Sequence, residues 1–448
     1  MRTLVTKQTI INQYNGFGNQ LWDLAGARPS LDLQFANRKD LVDATTGQNL
    51  VTFTRASSGT YVGSDGLIKT ATTNEARFNH NPTTGESLGL LVEEQRTNLF
   101  LQSNQFDTTW ANLNSSETAA ASTGPDNTNT AWELRDTVDV STTGHAIQQI
   151  IAFTSGTTYT VSVWVKAGTL PTVNSLGIVF PSAAFGSTLI SRFNLTAGTV
   201  SSAASGSTNT ITAYPNGWYR CTMSLLATAT SNANIGFRTG TNTATSYIGD
   251  GNGTIFLWGA QVEAAAFPTS YIPTTTAAVT RSADVASITG ANFSSWYRQD
   301  EGTIWANGTA SNRSTTGFRT RGFLSINDGS TSESMLMGHS STEGTYRGSL
   351  FVSGVNQFTI AVAQTISNVF TASNYYTAKT CIAYKVNDLI QSANGELTSP
   401  VNSASLPVTN RMVIGDSLTN DGYLNGTIRR LTYWPTRLSN NTLQTITQ

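Results

Sequence analysis

Residues 158–166 read TYTVSVWVK, and this stretch decides the fold class. Successive residues of a β-strand point to opposite faces of the sheet. One face is apolar and is formed by Tyr159, Val161, Val163 and Val165. The other face carries Thr160, Ser162, Trp164 and Lys166. This alternation predicts an antiparallel strand with one buried face and one solvated face.

Turn signals separate similar stretches along the chain. Asx-Gly pairs supply the positive φ angles that tight hairpins need. Five such pairs lie between strand-like segments: Asp65-Gly66, Asn216-Gly217, Asp328-Gly329, Asn394-Gly395 and Asn425-Gly426. Only residues 438–446 have a helical pattern, with Ser439 as the predicted N-cap. The sequence therefore predicts an all-β chain built from antiparallel sandwiches.

Size and composition exclude several classes of protein. A chain of 448 residues is too long for one hydrophobic core and predicts about two to four compact units. Charged residues make up 12% and the net charge is −1, so the positive field of a nucleic-acid binder is absent. No stretch approaches the ~20 apolar residues of a membrane span, and residues 1–11 lack the apolar core of a secretory signal. We predict no nucleic-acid partner, no membrane insertion and synthesis in a cytoplasm.

Shifts in composition divide the chain into predicted units. Residues 1–20 are rich in Gln, Asn and Gly, which predicts an arm that a partner orders, with Tyr14, Phe17 and Trp22 as its anchors. Residues 21–101 are predicted to form a small β module, and residues 102–273 a first sandwich. Residues 274–284 follow Pro268 and Pro273 and read as an extended linker. Residues 285–448 are predicted to form the last sandwich.

Three sets of motifs carry resemblances to known families. Residues 53–61 (FTRASSGTY), 66–68 (GLI), 76–78 (ARF), 89–94 (GLLVEE) and 96–99 (RTNL) resemble the head spike fibre module of phage and prophage proteins. Residues 164–168 (WVKAG), 217–220 (GWYR), 258–263 (WGAQVE) and 270–273 (SYIP) resemble a jelly-roll carbohydrate-binding module. Residues 383–385 (AYK), 394–395 (NG), 414–415 (IG) and 424–428 (LNGTI), with Tyr433 and Leu438-Ser439, resemble concanavalin A-like domains of the laminin-G type.

These resemblances imply a virion-surface protein of a tailed bacteriophage. They imply a tail fibre or spike, with the tail favoured over the head, that adheres to host-surface polysaccharide. The arm with Tyr14, Phe17 and Trp22 would then dock on other virion proteins. A homotrimer is expected, because sandwiches expose edge strands and few lysines protect them here. A head-decorating fibre without a specific receptor is the alternative, and a polysaccharide depolymerase is a third.

The sequence contains no recognisable catalytic constellation. A glycosidase needs two carboxylates across a sugar cleft, and the Glu-x-Asp-x-x-Glu motif of concanavalin-like glucanases is not present. Glu93 and Glu94 would point to opposite faces of a strand, so we predict that they form ion pairs with Arg96 or Arg77. We predict no catalytic residue, no cofactor and no enzymatic activity.

The histidines and cysteines are predicted to have no chemical role. The chain lacks a Gly-x-Ser-x-Gly elbow, and His80, His145 and His339 stand among polar or turn-forming residues. We therefore predict that all three are solvated loop residues. Cys221 and Cys381 lie far apart in alternating strands, which predicts two buried free thiols.

Two acidic loops could hold calcium. Asp416, Asn420 and Asp421 share one loop, and Asp250 lies in a Gly-rich one. Lectin-like sandwiches often fix Ca²⁺ with carboxylates and carbonyls in such loops. The same residues are typical of ordinary Asx turns, which we predict here. No metal site is assigned, and a structural calcium near Asp416 and Asp421 stays open.

A glycan site is predicted from two tryptophans on polar strand faces. In residues 218–225 the apolar positions alternate so that Trp218 and Arg220 share the other face. An exposed aromatic plane beside hydroxyl groups can stack on a pyranose ring. The predicted site consists of Trp164, Trp218, Lys166, Arg220 and Ser162. Alternatively, these faces pack on a neighbouring domain or subunit.

Overall fold

The computed structural model describes residues 20–140, 142, 144–168, 173–241, 243–311, 320–340, 345–362, 375–418 and 422–448. Most of the predicted arm, with Tyr14 and Phe17, lies outside these residues, and Trp22 lies within them. Across the described residues, antiparallel strands form several sheets, and the prediction of an all-β fold is confirmed. None of the described helices is long and apolar enough to span a membrane.

Thirty-one strands and five short helices make up the described chain. Before the first sandwich lie β1 (Leu31–Leu33), β2 (Thr52–Thr54), β3 (Gly59–Val62), β4 (Ile68–Ala71), β5 (Phe78–His80), β6 (Ser87–Val92) and β7 (Arg96–Asn98). Next come β8 (Ala111–Leu113), β9 (Ser115–Ser122), β10 (Ala131–Asp136), β11 (Ala146–Phe153), β12 (Thr158–Ala167), β13 (Ser175–Phe180), β14 (Leu189–Asn194), β15 (Thr199–Ser202), β16 (Thr208–Ala213), β17 (Trp218–Leu226), β18 (Ser231–Gly240) and β19 (Thr254–Glu263).

The remaining elements complete the chain. The last strands are β20 (Val279–Arg281), β21 (Val285–Thr289), β22 (Glu301–Ser311), β23 (Thr320–Asn327), β24 (Ser334–Ser340), β25 (Tyr346–Val352), β26 (Val355–Val362), β27 (Tyr375–Lys385), β28 (Asp388–Ala393), β29 (Glu396–Leu397), β30 (Arg411–Ile414) and β31 (Gly426–Trp434). The helices are α1 (Gln20–Ala25), α2 (Phe35–Arg38), α3 (Ser182–Phe185), α4 (Gly290–Ser294) and α5 (Asn440–Thr447), with a 3-10 turn at Pro215–Gly217.

Two large sheets form what we call the terminal sandwich. The eight-stranded sheet has the order β29-β28-β27-β22-β31-β6-β5, with β1 also paired to β31. The seven-stranded sheet has the order β2-β21-β30-β23-β24-β25-β26. Side chains from both sheets share one core, including Leu90 and Ile304 from the first sheet and Phe53 and Met412 from the second. The core therefore lies between the two sheets, as expected of a sandwich.

The predicted β module of residues 21–101, which we call the N-terminal module, contributes strands to the terminal sandwich. β1 pairs with β31, β6 pairs with β31, and β2 pairs with β21. The prediction of separate units over residues 21–101 and 285–448 is therefore wrong, because strands from both segments complete the same two sheets. β1 and β2 are three residues long, and a strand this short has no measurable periodicity that could reveal a distant partner.

A second pair of sheets forms what we call the inserted sandwich. Its two six-stranded sheets have the orders β16-β17-β12-β19-β10-β9 and β15-β14-β13-β18-β11-β8. All of these strands lie between residues 111 and 263, within the predicted range 102–273. The chain leaves the terminal sandwich after β7 and returns at β20, which pairs with β7. Residues 274–284 are more than the predicted linker, because they hold β20 and the buried side chains of Arg281 and Asp284.

Local turn and cap signals are reliable in this chain. Four Asx-Gly pairs form hairpins and join β3 to β4, β16 to β17, β23 to β24 and β28 to β29. The fifth pair, Asn425-Gly426, leads into β31 but does not form a hairpin with the preceding strand, β30. The partners of β31 are β1, β6 and β22. Ser439 caps α5 by accepting a hydrogen bond from the Thr442 N–H at 3.2 Å, as predicted. Both cysteines are free and buried, also as predicted.

The histidine prediction is wrong. His80, His145 and His339 are all buried, with exposed fractions of 5%, 0% and 1%. The His145 ring shows why, since its Nδ1 lies 2.7 Å from the Asn114 carbonyl oxygen and its ring packs against Tyr247 at 4.5 Å between centroids. Burial lowers the pKa of His339 to about 4. Polar and turn-forming neighbours in the sequence therefore do not identify an exposed histidine in this chain.

Candidate functional site: a cleft between the two sandwiches

The hairpin β3–β4 covers the outer face of the inserted sandwich. Val62 and Ile68 of the hairpin pack against Trp164 and Trp218 in one buried cluster. At the tip of the hairpin, Gly66 has a φ of +75°, and a Cβ there would lie 2.4 Å from the Pro82 carbonyl oxygen. Glycine is therefore required for this close approach. The hairpin thus fixes the position of the inserted sandwich relative to the rest of the chain.

A cleft of about 1140 Å³ opens where the hairpin and the two sandwiches meet. Most of its lining residues have hydroxyl or amide side chains, and apolar side chains such as Leu88 and Ile211 line the rest. The inserted sandwich contributes Ser202, Ser207, Thr208, Asn209, Thr210 and Thr212; the terminal sandwich contributes Thr309, Thr377, Asn425 and Thr427; and the hairpin contributes Thr60 and Tyr61. The walls therefore present neutral hydrogen-bonding groups from both sandwiches to a single space.

Several of these polar groups are fixed by hydrogen bonds to each other. The hydroxyl groups of Thr309 and Thr377 lie 2.9 Å apart across β22 and β27. The Asn209 side-chain amide donates to Ser207 Oγ at 2.7 Å. Asn209 Oδ1 is buried and has no hydrogen-bond partner among the described residues. The hydrogen bonds of Thr309, Thr377 and Asn209 hold these wall groups in place.

Arg220 lies on the wall that the inserted sandwich contributes. Its Cζ lies 4.5 Å from the Trp164 ring centroid, in a cation–π contact. Its Nη2 donates to the Thr269 carbonyl oxygen at 2.7 Å and to Ser162 Oγ at 3.1 Å. β12 and β17 place these residues side by side, since Trp164 is paired with Arg220 in their register. The guanidinium is therefore held in one orientation.

The predicted tryptophan platform is wrong. Trp164 is 0% exposed and Trp218 is 1% exposed, so neither ring can stack on a sugar from solvent. Trp164 contacts the rings of Trp258, Tyr271 and Tyr214 edge to face, at 5.4–5.8 Å between centroids. The alternative, that these strand faces pack on a neighbouring part of the chain, is confirmed by the cluster with the hairpin.

The cleft brings together only part of the predicted glycan site. Trp164 and Arg220 border it, although the Trp164 ring is buried in the wall. Ser162 is buried behind Arg220 and accepts its hydrogen bond. Lys166 is half-buried beside Trp218 in the register of β12 and β17, and neither is part of the cleft wall.

A buried ionic cluster lies directly behind the cleft. Asp284 accepts from Arg55 Nη1 at 3.1 Å and forms an ion pair with Arg77, and all three side chains are fully buried. Arg77 Nη1 also lies 2.8 Å from Glu93 Oε2, and Arg281 Nη1 lies 3.6 Å from the same oxygen. Three guanidinium groups thus surround two carboxylates. The cluster joins residues of the N-terminal module to β20 and the segment that follows it.

The predicted ion pairs of Glu93 and Glu94 are confirmed. Glu93 pairs with Arg77, and Glu94 pairs with Arg96. Glu93 also accepts hydrogen bonds from the Ser270 N–H and hydroxyl, both at 2.7 Å. Burial alone would raise the pKa of Glu93, but Arg281, Arg77 and Ser270 outweigh it and lower the pKa from 4.5 to about 2. Glu93 is therefore ionised at every physiological pH.

Acid is expected to destabilise the protein through Glu93. Because the pKa of Glu93 is about 2 in the folded chain and 4.5 ordinarily, the unfolded chain binds the proton first as the pH falls. The stabilisation by Glu93, on the order of 3 kcal/mol, is complete above pH ~4.5 and is lost as the pH falls toward ~2. Urea midpoints measured across this range should fall less steeply in Glu93→Gln than in the natural protein. Parallel profiles would contradict the assignment.

Asx-turn hydrogen bonds are present in both acidic loops. Asp250 Oδ1 accepts from the Asn252 N–H at 3.0 Å, and Asp416 Oδ1 accepts from the Leu418 N–H at 3.2 Å, as in the predicted Asx turns. Asn420 and Asp421 lie outside the described residues. No cluster of three metal-ligating side chains occurs within the described part of the chain. Trp22 donates from its indole nitrogen to Asp32 at 3.0 Å, so it is engaged within the fold.

Most of the residues that line the cleft were not predicted from the sequence. The run TNTIT at residues 208–212 places three threonines on one strand face, which is a signal that sequence reasoning could have used. The threonines of the terminal sandwich and Tyr61 carry no comparable pattern. They meet β16 only because the hairpin and the two sandwiches dock together.

Comparisons with known proteins find partial likenesses in structure only. No protein-family model and no curated protein matches the chain. Ruminococcus gnavus IT-sialidase CBM40 bound to α2,6-sialyllactose is 15% identical, with 34% of this chain and 84% of that chain covered and a TM-score of 0.28. A structure of botulinum neurotoxin type C that concerns its interaction with two ganglioside molecules is 13% identical, with 36% and 39% covered and a TM-score of 0.28.

A third solved structure aligns over more of the chain. Trypanosoma rangeli sialidase in complex with sialic acid is 9% identical, with 71% of this chain and 68% of that chain covered and a TM-score of 0.26. TM-scores this low carry no argument about the function of this chain.

Proposed function

We propose that this chain is a non-catalytic glycan-binding protein of a tailed-phage virion, and that the cleft between its two sandwiches is the binding site. The observation that carries the proposal is the cleft itself, with walls of hydroxyl and amide groups supplied by both sandwiches. A sugar offers many hydroxyl groups in fixed geometry, and neutral donors and acceptors on a rigid sheet are suited to them.

The size and rigidity of the cleft support the same proposal. A volume of about 1140 Å³ accommodates a short oligosaccharide better than a single small metabolite. Part of its walls is formed by strands that are paired on both sides, such as β17 and β22, so their polar groups are ordered before a ligand arrives. Preorganised groups lose little entropy on binding.

The carboxylates of the cleft favour binding over catalysis. Glu93 is the one carboxylate among the described residues that line the cleft. Glycoside hydrolysis needs a pair, one of which must be protonated to act as the acid. The pKa of Glu93 is lowered to about 2, so this residue cannot serve as a proton donor at neutral pH. We therefore propose that the protein binds glycan without cleaving it.

The virion assignment is supported by the resemblance of the sequence to the spike-fibre module. Several residues of its motifs meet in the buried ionic cluster. Arg55, Arg77 and Glu93 are all part of the spike-fibre motifs, and all belong to the buried ionic cluster. We propose a homotrimeric tail fibre or spike that residues 1–20 attach to other virion proteins. A head-decorating fibre is the second candidate.

Immunogold labelling of intact particles tests the virion assignment. Label on the tail would support adhesion, and label spread over the head would favour the decorating fibre. Particles without label, from lysates that contain the protein, would overturn the assignment. Light scattering on the purified protein tests the oligomer, and a stable monomer at micromolar concentration would contradict the trimer.

Thr212→Trp is expected to reduce glycan binding at least about tenfold without lowering the melting temperature. Thr212 is exposed on β16 and lines the cleft, so an indole there would fill the space that a sugar occupies. The matched control is Thr118→Trp. Thr118 is equally exposed, but it lies on β9, at the opposite edge of the same sheet and away from the cleft.

Adsorption of the purified variants to host cells provides the measurement. Thr118→Trp should adsorb like the natural protein. If Thr212→Trp also adsorbs normally, the glycan site lies elsewhere.

A further inference from the structure

The charges that line the cleft are unevenly compensated. Its described walls contain three charged side chains, Glu93, Arg220 and Arg429. Glu93 is neutralised by Arg77 and Arg281, and Arg429 lies 2.7 Å from a Glu86 carboxylate oxygen. Arg220 has no carboxylate within ion-pair distance among the described residues, which leaves one positive charge at the cleft.

Arg220 has hydrogen-bonding capacity to spare. Its Nη2 donates to Thr269 and Ser162, whereas its Nη1 makes no hydrogen bond among the described residues and is not one of their buried atoms. Trp164 supports one face of the guanidinium at 4.5 Å and limits its rotation. An arginine whose orientation is fixed and whose Nη1 donors are unused is suited to binding an anion.

The charges behind the cleft wall are balanced. Arg55, Arg77 and Arg281 surround Asp284 and Glu93, and the buried Glu263, which accepts hydrogen bonds from Thr269, adds a third negative charge to the three positive ones. Arg77 Nη1 donates to Ser270 Oγ at 2.7 Å, and Ser270 is part of the cleft wall. The cluster therefore lies directly behind the wall, and Arg220 remains the one charged group of the described wall without an oppositely charged partner. Charges in a partly buried cleft act over longer distances than charges in open solvent.

We propose that the cleft selects glycans that carry an acidic group, and that Arg220 binds this group. This inference rests on the proposed function, because it assigns a chemical class to the glycan of the same cleft. A carboxylate, sulfate or phosphate substituent would accept hydrogen bonds from Arg220, while threonine and asparagine groups of the cleft bind the ring hydroxyls. A neutral glycan would leave the guanidinium charge unpaired.

A glycan array tests the proposal with the full-length protein. The array carries neutral oligosaccharides, uronic and sialic acid oligosaccharides, the same acidic compounds after reduction of their carboxyl groups, and sulfated and phosphorylated sugars. We expect binding to acidic glycans, about 10- to 100-fold weaker binding after carboxyl reduction or with Arg220→Gln, and weakening by salt. The arms also distinguish a carboxylate from a sulfate or phosphate ester.

Control variants separate charge from folding. Arg298→Gln removes an exposed arginine that pairs with Asp300 outside the cleft, and it should bind like the natural protein. Arg220→Lys keeps the charge without the planar fork and should recover part of the affinity. Carboxyl reduction changes only the ligand, so it remains informative even if Arg220→Gln does not fold.

Each result has a defined meaning. Binding to neutral glycans alone would overturn the acidic preference and leave the proposed function standing. Acidic binding that Arg220→Gln does not weaken would overturn the role of Arg220. Binding to no glycan on the array would overturn the proposed function, and the inference would fall with it.

Discussion

Asp284→Asn is expected to lower the free energy of unfolding by about 3–5 kcal/mol, which is a large part of the stability of a typical domain. Asp284 accepts from Arg55 at 3.1 Å, pairs with Arg77, and also accepts the Glu93 backbone N–H at 2.9 Å. The substitution keeps the size of the side chain but removes its charge. Arg55 would then lose its carboxylate partner, and Arg77 and Arg281 would share the single carboxylate of Glu93. The loss follows because an unpaired buried charge cannot be solvated.

Urea denaturation followed by tryptophan fluorescence measures this effect. Asp300→Asn is the control, because Asp300 forms an exposed ion pair with Arg298 and such pairs contribute little to stability. We expect no measurable shift for the control and either a large shift or failure to fold for Asp284→Asn. Equal midpoints for the two variants would mean that the buried cluster does not stabilise the fold.

The ionic cluster also joins the two segments of the chain that flank the inserted sandwich. Arg55 and Arg77 come from the N-terminal module, whereas Arg281 and Asp284 come from the segment that reenters the terminal sandwich. Between these two parts the chain builds the whole inserted sandwich. A cluster that forms only when both parts are in place makes the closure of the terminal sandwich cooperative.

Sequence patterns predicted what is local in this fold. The alternation in residues 158–166 gave β12 and the correct division of its two faces, and Asx-Gly pairs located four hairpins. The ion pairs of Glu93 and Glu94 were also accessible, because charges are scarce in this chain and Arg77 and Arg96 stand in the same motifs. Each of these features depends on neighbours within about 20 residues along the chain.

Long-range docking was not predictable from the same patterns. The polar face of β12 was expected in solvent, but the hairpin β3–β4, about 100 residues earlier, covers it. A polar strand face in the sequence does not distinguish solvent from a neighbouring part of the chain. The cleft also depends on long-range docking, since its threonines come from strands as distant in sequence as β16 and β27. Its residues could be recognised only after the two sandwiches were placed together.

Trp164→Ala is expected to destabilise the protein by about 3–5 kcal/mol, because it removes a fully buried indole. The cavity would lie among Trp258, Tyr271 and Tyr214, whose rings contact Trp164 edge to face. Residues of the hairpin belong to the same cluster, so its docking on the inserted sandwich should weaken as well. Trp164→Phe keeps a ring in the cluster and should cost less.

Glycan binding by the same variants separates packing from direct contact. If Trp164 acts through packing, binding should fall in parallel with the melting temperature, and Trp164→Phe should recover both. The support of Arg220 would also be lost in Trp164→Ala, so any acidic preference should decline more than binding to neutral glycans. A Trp164→Ala protein that melts normally but no longer binds glycan would instead place the indole in direct contact with sugar, which its complete burial argues against.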